Sequence, residues 1–490
     1  MPQYYRYSED RSRSLNQKKK RRKVWRNRIL AALAGLAMVV GLFFGVRTAY
    51  RGIRGWVNSV MGETETQENT QPGQSAEAGT QETAPEETEN NAKMHEAELA
   101  EASRLAASYD YDGAVAYIQS LPGYADEPAL MQAIQDYLNL KTTLVKADIT
   151  QVYHVFFHSL VVDTELAFYK APQSEIDGYN QVMTTVDEFN AMLQQMYDRG
   201  FVLVKLHDMA YKDADGKLVK GSIMLPEGKK PFVLSVDDVS YYAYMTGDGF
   251  ASKIVLDENN FPTCEMVQRD GSVTTGDFDV VPILEKFVEQ HPDFSYKGAK
   301  GCLALTGYEG IMGYRTAPKY GDPSNSEYKP EYASLNWEEE KAGAAKVAAR
   351  LKELGWEFAS HSWGHVNMTN ADLDWISTDM RKWMEQVDPL LGGGTDIMIF
   401  AFGADIGSWR NYTEENEKFV YLKSLGFTYF CNVDAYNIPW VQFNSTQGYL
   451  RQGRVNLDGY EMYYRADKLE VFFDVETVFD KSRPLPVPKY

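Results

Sequence analysis

The stretch LKELGWEFASHSWGH, residues 351–365, decides the fold and indicates the chemistry. An amphipathic helix ends at Gly355, a short apolar strand follows over 356–360, and His361 and His365 come directly after that strand. Glycine commonly ends helices, and alternation of helices with apolar strands is typical of a parallel sheet. The stretch therefore predicts one helix–strand unit of an α/β fold that ends in paired histidines.

The same kind of unit recurs along the chain from about residue 148. Apolar runs typical of strands are separated by helical stretches, several of which end at glycine; these runs are 152–161, 201–206, 231–236, 301–307, 356–360, 397–403 and 427–433. The repetition predicts a parallel sheet, open or closed into a barrel. A Gly/Asp/Asn-rich stretch at 240–280 breaks the alternation and predicts a hairpin insertion.

Polar residues follow several of these strands at their carboxyl ends. Asp237 and Asp238 follow one strand, His361 follows another, and Asp405 and Asp434 follow two more. In a parallel barrel these ends meet at one face, where active sites lie. The pattern predicts that distant segments deliver histidines and carboxylates to a single place.

The spacing of His361 and His365 predicts a metal site. On a helical turn, two histidines four positions apart lie on one side and can share a cation. A third ligand is expected from the Asp237–Asp238 pair, because adjacent acids repel each other unless a cation lies between them. The cation expected here is divalent.

The order strand–VDD, helix–GWEFASHSWGH, strand–FAFG resembles that of the NodB-homology polysaccharide deacetylases, over roughly residues 150–480. The resemblance implies a distorted (β/α) barrel that removes N- or O-acetyl groups from sugar polymers. SVDDV aligns with the family's TFDDG motif, which implies Asp237 as catalytic base and Asp238, His361 and His365 as metal ligands. Zinc is the expected ion, with cobalt or another divalent cation as alternatives.

The chain departs from the family pattern in two ways that bear on activity. The RxPYG motif is reduced to FAFG, so the arginine that orients the base is missing from it, although Phe402 and Gly403 stay candidates for binding the substrate or its oxyanion. The family's late histidine, the general acid, is also missing, because no histidine follows His365. Losing a general acid slows hydrolysis by about 10²–10⁴-fold.

Other residues are candidates to complete the site. Asp405, Asp434 and Asp458 are possible replacements for the acid, and Asp405 and Asp434 are also candidate substrate contacts. Trp363 is a candidate sugar platform. If none of the aspartates replaces the acid, the chain is instead a catalytically impaired homologue that acts as a glycan-binding or scaffolding protein.

The N-terminal residues predict a membrane anchor. Residues 1–28 form a basic tail, with eight positive charges in KKKRRKVWRNR, and residues 29–46 are an uncharged apolar run of 18 residues. Such a helix is roughly 27 Å long, close to the hydrocarbon thickness of a bilayer. The stronger basic flank predicts a cytoplasmic N-terminus and an extracellular C-terminal domain in the cell membrane.

Composition divides the remainder into a linker and two folded parts. Residues 61–92 contain no aromatic residue and no Val, Ile or Leu, which predicts a disordered acidic linker. Residues 94–147 predict a helical module that resembles one tetratricopeptide-type hairpin, used for packing or for binding a protein partner. Residues 148–490 form the deacetylase-like domain.

Charge limits the partners of the part outside the membrane. Residues 1–60 hold fourteen Lys/Arg and two acids, so residues 61–490 hold 36 Lys/Arg and 67 Asp/Glu, a formal charge of −31. Such a domain repels phosphate backbones, which excludes nucleic acid as a partner. The predicted function is a metal-dependent hydrolase that removes acetyl groups from cell-envelope polysaccharide, such as peptidoglycan.

Overall fold

The computed structural model describes residues 86–434 and 438–489. The predicted basic tail (1–28) and transmembrane helix (29–46) lie outside these ranges, as does the predicted linker up to residue 85. The first described helix starts at Glu86, so the last residues of the predicted linker are helical. In the described ranges, no helix is both long enough and apolar enough to cross a bilayer.

Seven parallel strands close into a barrel. They are β1 (Tyr153–Phe157), β2 (Lys230–Val236), β3 (Cys302–Leu305), β4 (Glu357–Ser360), β5 (Ile397–Ile399), β6 (Tyr429–Val433) and β7 (Tyr449–Asn456). Each pairs with the next in chain order, and β7 pairs with β1 through Val455 and Val155. The predicted distorted (β/α) barrel is therefore confirmed.

The distortion comes from strands that pair outside the closed ring. Strand Phe201–Leu203 pairs with the start of β2, whereas β3 pairs only with its end, at Ser235 and Val236. Strand Val441–Asn444 pairs antiparallel with β7. The predicted insertion at 240–280 contains a three-stranded antiparallel sheet of Lys253–Leu256, Pro262–Val267 and Val273–Gly276.

Side chains alternate between the barrel interior and an outer layer covered by helices. Outward residues such as Leu234, Leu303 and Phe358 pack in one large core with the helices, whereas Ala304 and Ile399 belong to a second core inside the barrel. The helices are Glu86–Ala107, Tyr111–Gln119, Pro128–Lys141, Gln173–Val182, Val186–Asp198, Leu206–Met209, Val280–Gln290, Pro318–Gly321, Trp337–Glu353, Leu373–Gln386, Glu417–Ser424, Gly459–Tyr464, Ala466–Leu469 and Val475–Val478.

The first three helices pack together and contact the barrel domain. Their shared core includes Ala102, Ile118 and Leu130. Two hydrogen bonds join this module to the barrel domain: the Tyr109 hydroxyl donates to the Asp293 carbonyl at 2.9 Å, and the Lys297 N–H donates to the Ser108 carbonyl at 2.8 Å.

Strand β7 is absent from the strands predicted by sequence. All eight of its residues are buried, including Arg451, Gln452 and Arg454. Two arginines in one short strand do not match the apolar pattern by which buried strands are recognised. The strand that closes the barrel therefore carries an unusually polar interior face, which forms part of the site described below.

His207 joins two strands at the amino end of the barrel, opposite the predicted site. Its Nδ1 contacts the Glu357 carboxylate at the start of β4, and its Nε2 lies 3.1 Å from Asp396 Oδ1, just before β5. Desolvation lowers the pKa of His207, but the hydrogen bonds with Asp396 and Glu357 outweigh it and raise the pKa to about 10. His207 is therefore a cation at neutral pH.

Because the folded-state pKa of His207 exceeds its ordinary value, its stabilising contribution is full below about pH 6.5 and is lost as the pH rises through about 10. We expect the midpoint of thermal unfolding to fall over this interval more in the parent than in His207→Gln. The difference is expected to be small, because 43% of the His207 side chain is exposed. Identical pH dependence in both proteins would contradict the expectation.

Candidate metal centre

Asp238, His361 and His365 come together at the carboxyl end of the barrel. One ligand atom from each, a carboxylate oxygen or an imidazole nitrogen, lies within 4.8 Å of the other two. His365 Nε2 is 3.7 Å from Asp238 Oδ2, and the two histidine rings are 5.0 Å apart. The convergence of one carboxylate and two imidazoles is the arrangement that the sequence predicts.

His361 is oriented by a hydrogen bond from its far ring nitrogen. Its Nδ1 lies 2.7 Å from the carbonyl oxygen of Ile399 in β5, which can only accept, so Nδ1 carries the proton. The lone pair of Nε2 then points away from this bond. Burial is the main cause that lowers the pKa of His361, which keeps the imidazole neutral. A neutral imidazole fixed in this way is a prepared metal ligand.

The two histidines lie on a loop, so the predicted helical turn is wrong. Residues 361–365 contain no helix, and Ser362 and His365 have φ values of 62° and 53°. Asp238 and Phe402 have similar left-handed values of 58° and 59°. Non-glycine residues adopt this region uncommonly, and such conformations cluster at functional sites. Backbone strain, rather than helical periodicity, brings the ligands together.

Asp237 is held by an arginine that the sequence did not reveal. Arg454 of β7 donates from Nη1 to Asp237 Oδ1 at 2.7 Å and from Nη2 to Oδ2 at 2.9 Å. The same guanidinium donates to Ser235 Oγ at 3.1 Å and is fully buried. The arginine missing from the FAFG stretch thus has a counterpart on another strand.

This arginine fixes the charge state of Asp237. Burial alone raises the pKa of the carboxyl, but the charge of Arg454 and its hydrogen bonds to the carboxylate outweigh burial and lower the pKa to about 2. Asp237 is therefore ionised at neutral pH. Its Oδ2 lies 3.9 Å from His361 Nε2, so the carboxylate is adjacent to the metal trio.

His158 lies at the same face, directly after β1. Its ring contacts the Phe156 ring edge-on at 5.8 Å, and the charge of His158 is among those that lower the pKa of Asp237. Its Nδ1 is buried and has no hydrogen-bond partner within the described ranges. The predicted strand ran over 152–161 and so placed His158 inside it; only the structure, in which β1 ends at Phe157, puts His158 at a strand's carboxyl end.

Phe402 stays a candidate for binding the substrate or its oxyanion, whereas Gly403 has a structural part. The Phe402 ring is 67% exposed and lies 4.3 Å from the His365 ring, where it borders the metal trio. The Gly403 N–H donates to the Phe400 carbonyl at 3.0 Å, so this turn already uses it and it is not free for an oxyanion. Gly403 has a φ of 63°, and a Cβ there would lie 2.5 Å from the Val433 side chain, so this turn requires glycine.

Two of the predicted acids have structural partners instead. Asp405 accepts hydrogen bonds from the buried Arg451 and from the Tyr412 hydroxyl, so it does not present a free proton donor. Asp458 accepts the Glu461 N–H at 2.7 Å and thereby caps helix Gly459–Tyr464. Burial raises the pKa of Asp458 to about 7, but its bonds to Glu461 and Asn456 make it a helix cap.

The other two predicted contacts lie at the edge of the site. Asp434 follows β6, and its N–H donates to the Arg454 carbonyl at 2.9 Å. The Trp363 ring packs closely over Gly307, where a Cβ would lie 2.2 Å from the indole, and the backbone N–H of Trp363 donates to Asp379 Oδ1 at 2.7 Å. Trp363 thus packs under the histidine loop, and the predicted contacts with sugar stay predictions.

The residues of the trio fit a divalent cation. Two imidazoles and one carboxylate are a donor set that zinc accepts, and three protein ligands leave positions for water and substrate. His361 also has the hydrogen bond from its second nitrogen that is usual for metal-bound histidine. Asp238, His361 and His365 are therefore the residues that would hold the ion.

No protein-family model and no curated protein matches the chain, but solved structures do. The deacetylase PplD of Streptococcus pyogenes, in complex with acetate, is 16% identical at a TM-score of 0.33, and the match covers 65% of this chain and 94% of that one. A polysaccharide deacetylase from Bacillus cereus is 11% identical at a TM-score of 0.32, and the match covers 64% of this chain and 65% of that one. The chain resembles polysaccharide deacetylases. IcaB from Ammonifex degensii also matches, at 10% identity and a TM-score of 0.33, and the match covers 66% of this chain and 95% of that one.

Proposed function

We propose that this chain is a metal-dependent hydrolase that removes acetyl groups from a polysaccharide of the cell envelope. The observation that carries the proposal is the placement of an ionised carboxylate, Asp237, beside the trio of Asp238, His361 and His365 at one end of a barrel. A cation held by the trio would polarise the acetyl carbonyl and activate a water molecule.

The protein's own residues would supply the proton transfers. Asp237 lies beside the trio and is ionised, so it is the group that accepts the proton of the attacking water as the C–O bond forms. Arg454 binds both Asp237 oxygens and keeps the carboxylate aimed at the trio. A base fixed in this way spends no energy on orientation during the reaction.

His158 is the group proposed to protonate the leaving nitrogen. When the C–N bond breaks, the amine must gain a proton, and an imidazole is the side chain best suited to give one near neutral pH. His158 lies near Asp237, and the chain has no late histidine of the family pattern to take this role. The proposal thus requires no aspartate with a raised pKa, and the impaired homologue stays the alternative that the experiment below must distinguish.

The location of the substrate follows from the N-terminal prediction. The apolar run 29–46 and its basic flank support a single-pass anchor that holds the barrel outside the membrane, next to envelope glycans. The net negative charge of residues 61–490 is compatible with neutral sugars. A protein partner for the helical module stays a prediction.

The test is release of acetate by the full chain from acetylated chitooligosaccharides and from peptidoglycan, with and without zinc or cobalt. We expect metal-dependent release that falls by about 10²–10⁴-fold in Asp237→Asn, because the base is removed. Asp270→Asn, at an exposed turn of the hairpin insertion, is the matched control. Acetate release by Asp237→Asn at the parent rate would show that the assignment of the base is wrong, and glycan binding without turnover would favour the impaired-homologue alternative.

A further inference from the structure

A tyrosine contacts the proposed metal ligand from behind. The Tyr242 hydroxyl donates to Asp238 Oδ1 at 2.6 Å, on the side of the carboxylate opposite His365. The other oxygen, Oδ2, is the one that lies 3.7 Å from His365 Nε2. The two oxygens of Asp238 therefore have different neighbours, one a phenol and the other the metal trio.

Tyr242 is itself held in place by hydroxyl groups. Its oxygen lies 3.0 Å from Thr306 Oγ1, at the end of β3, and Thr306 Oγ1 lies 2.8 Å from Ser240 Oγ. Because Asp238 can only accept, the phenol proton points at the carboxylate. Thr306 can then donate to Tyr242, and Ser240 to Thr306, so each of these three hydroxyls has a partner.

Packing restricts the ring as well as the hydroxyl. Tyr242 is 8% exposed, and its ring stacks on Tyr308 with centroids 5.3 Å apart and on Tyr244 with centroids 5.9 Å apart. The interplanar angles are 25° and 12°.

We propose that Tyr242 is a positioning residue that restricts Asp238 to coordinating the metal through Oδ2 alone. This inference rests on the proposed function, because it concerns the same metal. A carboxylate free to rotate can bind a cation through both oxygens and occupy a second coordination position. With Oδ1 bound by Tyr242, that position stays available to water and substrate, which a hydrolytic metal requires.

The test compares Tyr242→Phe with Tyr244→Phe in the full chain. Both variants keep the ring and lose only a hydroxyl, and Tyr244 is 55% exposed. We expect zinc affinity, measured by competition with a chromophoric chelator, to fall by about 10–100-fold in Tyr242→Phe, as for other residues behind metal ligands. Tyr244→Phe is expected to bind zinc like the parent.

A spectroscopic measurement separates positioning from simple packing. We expect the visible absorption of the cobalt-loaded Tyr242→Phe variant to differ from that of the parent, because the freed carboxylate changes the coordination number. Unchanged zinc affinity and an unchanged cobalt spectrum would overturn the inference while leaving the proposed function intact. A parent chain that binds neither zinc nor cobalt would overturn both.

Discussion

Replacing His158 by glutamine is expected to slow release of acetate from N-acetylated sugars by about 10²–10⁴-fold, since this is the range that one general acid contributes. Cleavage of 4-nitrophenyl acetate should change little, because a nitrophenolate leaves without being protonated. The ratio of the two rates in parent and variant, measured at saturating metal, is the test. It separates loss of a proton donor from general damage to the site.

The matched control for this prediction is His291→Gln. His291 packs against Tyr197 and Phe287, among the residues outside the barrel, and is not part of the site. We expect the His291→Gln variant to hydrolyse both substrates at the rates of the parent. If His158→Gln lost both activities to the same extent, His158 would act on binding or folding, and the proton donor would have to be another group.

Replacing Arg454 by methionine is expected to reduce the free energy of unfolding by about 3–5 kcal/mol, because it leaves the Asp237 carboxylate buried without its partner. Urea unfolding measures this loss. Without the guanidinium, burial raises the pKa of Asp237, so the acidic limb of the pH–activity profile should move to higher pH. Arg454→Lys is expected to recover part of the stability, because a lysine keeps the charge but cannot bind both oxygens at once.

Arg451→Met is the matched control for Arg454. This substitution also removes a buried arginine of β7, and it leaves the carboxylate of Asp405 without that ion-pair partner. We expect a comparable loss of stability in both methionine variants, but a displaced pH–activity profile only in Arg454→Met. Equal profiles in the two variants would mean that Arg454 has no part in setting the charge of Asp237.

The barrel could be predicted from the sequence because most of its strands follow ordinary rules. Runs such as 231–236 and 397–403 are apolar and lie between helices that end at glycine, which is enough to predict parallel strands. The metal trio could be predicted for a related reason. Ligand residue types occur at strand ends, and the barrel requires those ends to meet.

The remainder of the site could not be predicted from the sequence because its residues do not follow those rules. β7 carries Arg454 into the barrel, and a buried arginine becomes recognisable only when its carboxylate partner is known to lie opposite. Asp405 resembled a free acid because its partner Arg451 belongs to this unpredicted strand. The HxxxH spacing suggested a helix, whereas left-handed φ values at Ser362 and His365 achieve the convergence.

Closure of the ring by β7 has a consequence for biosynthesis. Arg454 lies 217 residues after the carboxylate that it binds, and β7 is the last barrel strand to leave the ribosome. Until it emerges, the ring stays open between β6 and β1, and Asp237 lacks the guanidinium that binds it. A chain truncated before residue 449 thus lacks both the strand that closes the barrel and the guanidinium that binds Asp237.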